Sequence, residues 1–311
     1  MVDLSSRELK SLVEAFFVYL QRRRKSPNTL KRWRPELRRF LAWAGDRQLA
    51  EITSQELEFG FLTEWEEEFR SRNGRDPSPN SIRAVIQALV SFYAFLDRFD
   101  FLVDGEGRRL RNPALVLEAP AIRPAAELDW LRGEEDDALL GAELSERERI
   151  IVFFFRMTGL RLAEALSLLN RDVDLDANTV HVRSSKSEAG YRPVPIAPEL
   201  RMHIQAWIAF TKAQGWHALD GPFLVTRNRT AMKPQYVEGV LERVGERAGL
   251  ARKLKPHTLR RTFGSHLLNN GARLEVVSKL LGHASTAITE RAYARLEDAT
   301  IRAEMLRALT A

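Results

Sequence analysis

The 311-residue chain contains no cysteine. That absence excludes a disulfide framework, a cysteine-held zinc or iron–sulfur centre and a thiol nucleophile. Long apolar runs are missing too: the longest, Ile150 to Phe155, falls far short of the ~20 residues a membrane-spanning helix needs. Met1 is not followed by a basic stretch and an apolar core, so no signal peptide is legible, and a cytoplasmic location is expected. A GxSxG elbow, a GxGxxG fingerprint, a phosphate-binding GxxxxGK loop and an HExxH pair are all absent. The usual hydrolase, dinucleotide, nucleotide-triphosphate and zinc-protease readings therefore have no foothold. No internal repeat or low-complexity tract is present.

What is present is an ordinary globular composition, 44% hydrophobic and 29% charged. The length suits two domains, each with its own core. Lys and Arg together number 48 against 42 Asp and Glu, a formal charge of +6 that favours a polyanionic partner.

The first hundred residues are patterned as four helices. Leu9, Leu12, Val13, Phe16, Phe17 and Leu20 recur at three- and four-residue steps behind Ser5 and Ser6. After the break Ser26-Pro27-Asn28, the stripe Leu30, Trp33, Leu37, Phe40 and Leu41 marks a second helix. Thr53-Ser54 opens a third, and the loop Asn73 to Pro79 precedes a fourth, carrying Ile82, Val85, Ile86, Leu89, Tyr93 and Leu96. Short connections predict a small helical bundle over 1–103. Turn residues cluster in 104–127, which is expected to be a linker, and a second domain fills 128–311. Its helices are expected near 147–157, 161–170, 198–213, 234–248, 258–270, 273–281 and 298–309. Its one clear β signal is a hairpin, Thr179 to Arg183 and Tyr191 to Ile196, with Lys186 near the tip. The fold class is thus mainly α with a small β-hairpin or sheet in the second domain.

Three constellations could carry chemistry. The first is basic: Arg22, Arg23, Arg24, Lys25, Lys31, Arg32, Arg34, Arg38 and Arg39, opposed locally only by Glu36. It reads either as a solvated helix face or as a phosphate-backbone contact. Trp33 and Phe40 belong to the buried stripe and are not base-stacking groups. In the second, Gly159 separates two apolar helices, and Arg161 falls at the start of the new one with Glu164 three residues on. That spacing is either a capping-turn ion pair or an oxyanion receptor at a helix N-terminus. The third is Lys255-Pro256-His257-Thr258-Leu259-Arg260, with His257 and Arg260 three apart at a helix start; His283 follows another helix end, and Tyr293 lies beyond it. His257, His266 and His283 show no metal-ligand spacing, so no metal is expected.

The order Arg161, Lys186, His257-x-x-Arg260, His283, Tyr293 resembles the catalytic set of the tyrosine recombinase (phage integrase) family. The words TGLRLAEAL, HTLRRTFGSHLLNNGA and LLGHAS are close to that family's own. SPNTLKRWRPELRRFLAW and SIRAVIQALVSFYAFL resemble its SAM-like core-binding domain, so the resemblance spans nearly the whole chain and is nearest to Xer-type recombinases. Three departures stand out. Arg261 sits where the family often has a histidine; Tyr293 lies one residue further from His283 than is usual; and SSKSEAGYRPVP lacks the Gly-Lys-Gly of many Xer hairpins.

The resemblance implies site-specific cleavage and rejoining of double-stranded DNA through a 3′-phosphotyrosine, with no cofactor. Tyr293 would be the nucleophile, with Arg161, Lys186, His257, Arg260 and His283 as its catalytic partners and Glu164 orienting Arg161 or His257. The basic cluster would touch DNA. The apolar stripe Ile301, Met305, Leu306 and Leu309 is expected to pack on a neighbour in a homo- or hetero-tetramer on two DNA sites. The biological role would be chromosome-dimer resolution, and so chromosome partition at cell division, or integration and excision of a mobile element. A type IB topoisomerase-like enzyme and a catalytically inactive DNA-binding protein of the same fold are the alternatives.

Overall fold

A computed structural model describes residues 9–121, 130–183 and 192–283, together with 285, 286 and 289. Lys186, Tyr293 and the helix expected at 298–309 lie outside the described residues. The chain divides into two compact units, Met1–Ala125 and Ala126–Ala311.

The first unit is helical: α1 (Leu9–Arg22), α2 (Pro27–Ala44), α3 (Leu62–Asn73) and α4 (Pro79–Arg98). The apolar stripes turn inward as the periodicity requires. All six stripe residues of α1 are buried, as are Trp33, Leu37 and Phe40 of α2. Helix starts follow local chemistry. Ser26 accepts the Thr29 N–H and Ser78 that of Ser81, and each is followed by proline, whose missing donor does no harm in a first turn. α3 is entered through a π-helical turn, Glu56–Phe61, that places Gly60 against the Trp43 ring; a Cβ there would lie 3.0 Å from it.

The centre of this unit is aromatic. Phe40 meets Phe61 edge-on at 5.5 Å, and Phe16 meets Phe92 at 5.6 Å. Tyr93 joins them at 0% exposure, and its hydroxyl has no hydrogen-bond partner among the described residues. Burial pushes the phenol well above its ordinary pKa. An unpartnered buried hydroxyl lowers stability, so Tyr93→Phe is expected to leave the unfolding free energy unchanged or raise it by up to about 1 kcal/mol. Urea denaturation checks this; a clear loss would show that the hydroxyl has a partner in solution.

Residues 104–121 are not the open spacer their turn chemistry suggested. Val103 bridges Arg109, Pro113–Val116 forms a 3₁₀ turn, and Leu102, Ala114 and Leu117 are buried in the first core. Gly and Pro here mark tight turns within the unit, and Ser54 and Arg83 tie the segment down through the carbonyls of Pro113 and Pro120.

The second unit is built around α6 (Glu146–Thr158), against which α8 (Pro198–Ala213), α9 (Pro234–Arg247) and α10 (Pro256–Asn269) pack. The apolar run noted in the sequence is the middle of α6, and Ile150 through Arg156 are all buried. A helix apolar on every side belongs at the centre of a domain. Ser145 and Glu148 close its N-terminus as a capping box. The remaining helices are α5 (Gly133–Leu140), α7 (Leu162–Ser167) and α11 (Leu274–Leu281). α7 stops short of the expected 170 because Leu168 is extended and Asn170 turns its amide onto the Ala218 carbonyl.

The hairpin is part of a three-stranded antiparallel sheet in the order β1 (Val173–Asp174), β2 (Thr179–Val182), β3 (Arg192–Pro195). Val180 pairs with Val194 and Val182 with Arg192. β3 is an edge strand, where Pro193 and Pro195 are tolerated. Its other phase, Arg192 and Val194, faces the interior.

Candidate active site

The site grows from the end of α11. A helix leaves its last carbonyls without intrahelical donors. Gly282, at φ 63°, turns the chain back, so the His283 N–H reaches the Ser278 carbonyl and the Gly282 N–H that of Lys279. The next three carbonyls each receive an arginine from a different segment. Arg192 Nε donates to Leu280 at 2.7 Å, Arg260 Nη2 to Leu281 at 2.6 Å and Arg161 Nη2 to Gly282 at 2.9 Å. The partial negative charge at a helix C-terminus favours cations at this point.

Each arginine is held by a second contact. Arg260, three residues after His257 on the first turns of α10, also donates to the Gly159 carbonyl at 2.6 Å. Arg161 opens α7, where Glu164 accepts both its backbone N–H and its guanidinium at 2.8 Å. The capping pair is present, and it leaves the Arg161 side chain 45% exposed. Arg192 completes it from β3, donating to the two Glu164 oxygens at 3.3 and 3.0 Å. Sequence reasoning missed Arg192. The signal was there: an arginine in the inward phase of a strand needs a buried carboxylate.

Burial alone would raise the Glu164 pKa, but hydrogen bonds from Arg192 and from the Arg161 backbone, with the charge of Arg192, bring it down to about 2. Its carboxylate is therefore ionised at any working pH. Two guanidiniums, Arg161 and Arg192, share this one carboxylate, and Arg260 adds a third positive charge at the same helix end, so positive charge is in excess there.

His283 stands at the edge of this charge. Its Nδ1 lies 2.7 Å from the hydroxyl of Thr289, a fully buried residue that sequence reasoning also passed over. Burial first, then the charges of Arg260, Arg161, Arg192 and His257, lower its pKa to about 4. The imidazole is expected to stay neutral until pH approaches that value, observable as ¹⁵N shifts in a histidine titration. Between the ordinary 6.5 and about 4 the unfolded chain binds the extra proton and the folded one does not, so acidification through this window removes stability. A His283 signal that titrates near 6.5 would contradict this.

His257 is exposed on the first turn of α10. No group of three or more His, Asp or Glu able to hold a metal ion occurs among the described residues. Of the basic cluster in the first unit, Arg22, Arg23, Arg24, Lys25, Lys31, Arg32 and Arg38 are exposed. Arg34 and Arg39 are committed elsewhere: Arg34 to Glu14 at 3.4 Å, Arg39 to Glu36 at 2.7 Å and Glu68 at 3.6 Å. The sequence showed Glu36; the fold adds Glu14 and Glu68. The cluster available to a polyanion is thus smaller than the pattern suggested.

The family model described as "Phage integrase family" matches residues 129–300, and "Phage integrase, N-terminal SAM-like domain" matches 13–98. The chain belongs to the phage integrase family. It is 31% identical over 285 residues to a tyrosine recombinase, XerA, of Thermococcus kodakarensis, covering 91% of this chain and 90% of the relative. It is 29% identical over 288 residues to XerC of Oceanobacillus iheyensis, covering 91% of each. Among solved structures it resembles a XerA recombinase with TM-score 0.52 at 25% identity, covering 97% of this chain and 99% of that one. The fold also matches XerH bound to its palindromic difH substrate after cleavage, with TM-score 0.73 at 19% identity, covering 96% of this chain and 85% of that one. The chain is therefore a Xer-type tyrosine recombinase, an enzyme of site-specific DNA recombination by strand cleavage and transfer.

Proposed function

We propose that Arg161 and Arg260 bind the non-bridging oxygens of the scissile phosphodiester of double-stranded DNA while Tyr293 attacks its phosphorus. The observation that supports this reading is the convergence of both guanidiniums and His283 on the last carbonyls of α11. The tyrosine oxygen forms a bond to phosphorus as the bond to the 5′-oxygen breaks, leaving a 3′-phosphotyrosine and a 5′-hydroxyl. The phenolic proton passes to His257, and Lys186 protonates the leaving 5′-oxygen. His283, held neutral, donates from Nε2 to a phosphate oxygen when Thr289 donates to Nδ1. Charge accumulates on the phosphoryl oxygens in the transition state, and the fixed guanidiniums meet it without reorganising. The ester conserves the bond energy, so attack by another strand's 5′-hydroxyl rejoins DNA with no cofactor.

Glu164 orients Arg161. Arg22, Arg23, Arg24, Lys25, Lys31, Arg32 and Arg38 contribute phosphate-backbone contacts. Exchange requires four active sites on two duplexes, so the working form is a tetramer, of one or two kinds of subunit, joined by exchange of the segment carrying Ile301, Met305, Leu306 and Leu309. The role is resolution of chromosome dimers or integration and excision of a mobile element.

The test begins with a duplex selected by the protein itself from a randomised library and then nicked beside the cleavage position, so that the leaving strand diffuses away. An SDS-resistant protein–DNA adduct is expected with the unaltered chain and is expected to vanish in Tyr293→Phe. No adduct from the unaltered chain, or an adduct surviving in Tyr293→Phe, overturns the reading. Relaxation of supercoils without exchange of strands would identify the topoisomerase-like alternative.

A further inference from the structure

We infer that Arg192 is a positioning residue for strand cleavage: it sets the pose of Arg161 through Glu164 and locks the turn at the end of α11, without itself touching DNA. The inference rests on the phosphate-receptor reading above and extends it to a residue on the sheet.

The side chain of Arg192 is 7% exposed, against 45% for that of Arg161. Of the guanidiniums around Glu164, one is therefore placed to meet a ligand and the other to support. The support is two-sided. Nη1 and Nη2 reach the two oxygens of Glu164, while Nε donates to the Leu280 carbonyl. A fork of this kind fixes the carboxylate in its plane, and the carboxylate in turn fixes Arg161 by its backbone N–H and its Nη1.

Gly282 shows how closely this is built. A Cβ on Gly282 would lie 2.6 Å from Arg192 Nη1 and 2.9 Å from Cζ, so the guanidinium packs against bare backbone at the residue before His283. Arg192 thus touches the element that carries His283 and the carboxylate that carries Arg161. Lysine cannot reproduce this: one ammonium does not span both Glu164 oxygens and the Leu280 carbonyl.

The test uses the full chain and the selected, nicked duplex. Arg192→Gln and Arg192→Lys are compared with the unaltered protein for duplex affinity, for the rate of adduct formation at saturating protein and for the urea midpoint. Affinity is expected to change less than about threefold, while the rate at saturation falls roughly 30-fold or more in Arg192→Gln and roughly tenfold in Arg192→Lys. Because Arg192 acts through Glu164, Arg192→Gln/Glu164→Gln is expected to be no slower than the slower single variant. Wild-type rates at saturation in a folded variant overturn the inference, as do losses that multiply in the double variant. Arg192→Lys keeps the charge, so it serves should Arg192→Gln not fold. If the unaltered chain forms no adduct, the functional reading itself fails; if it does and the Arg192 variants match it, only this inference falls.

Discussion

Arg260→Ala is expected to slow formation of the covalent adduct by roughly 10²–10³-fold, the usual loss when one donor is removed from an oxyanion-stabilising site. The residue is 3% exposed, and its Nη1 and Nη2 are fixed by carbonyls from two separate segments, Gly159 and Leu281. That fixation is what lets a guanidinium meet developing charge without first being ordered. Alanine also strands the two carbonyls, so some stability is lost, and the rate must be read at saturating protein below the unfolding midpoint. Arg260→Lys restores charge but cannot bridge Gly159 and Leu281 together, and is expected to recover little of the rate. Adduct formation by Arg260→Lys at close to the unaltered rate would show that charge alone suffices and that the fork has no part.

Gly159→Ala is expected to destabilise the second unit by roughly 2–4 kcal/mol through backbone strain and overpacking together. Gly159 ends α6 at φ 60°, and a Cβ there would meet Phe263 at 2.4 Å and Leu281 at 3.0 Å. The glycine is thus where α10 and α11 close onto α6. Gly249 provides the control: it has the same handedness, φ 73°, with nothing within 4 Å of its missing Cβ. Gly249→Ala carries the strain without the clash and is expected to cost about 1 kcal/mol. Equal shifts of the urea midpoint in the two variants would show that packing at Gly159 contributes nothing.

Much of this was legible in the sequence where one local rule governed the outcome. Helix periodicity placed Leu12, Phe16, Trp33, Leu37 and Phe40 inward, and the break Ser26-Pro27-Asn28 and the loop ending at Pro79 marked where α2 and α4 begin. Gly159-Leu160-Arg161 and His257-x-x-Arg260 were recognisable because each lies at a helix boundary, where spacing determines direction. What escaped depended on partners far along the chain. Arg192 was masked by the expectation that the hairpin mattered only at its tip, although Val194 in the same phase pointed to burial. Thr289 carried no signal, because a hydroxyl's partner depends on the path after His283. The pairing of Arg39 with Glu68 likewise needed α2 and α3 to be side by side. At 104–121, turn residues were read as a boundary, while burial of Ala114 and Leu117 made the segment part of the first unit.

The crowding of Arg161, Arg192 and Arg260 around one helix end carries a practical consequence for work at the bench. With no nucleic acid present, like charges sit together in a partly dry niche, and any small oxyanion gains by settling there as a counter-ion. On the proposed reading of this site, sulfate or phosphate in a buffer is therefore expected to compete with the substrate and to raise the melting temperature of the free protein, while chloride at equal ionic strength is expected to do neither to the same degree. The choice of buffer anion belongs among the variables of every affinity measured for this enzyme.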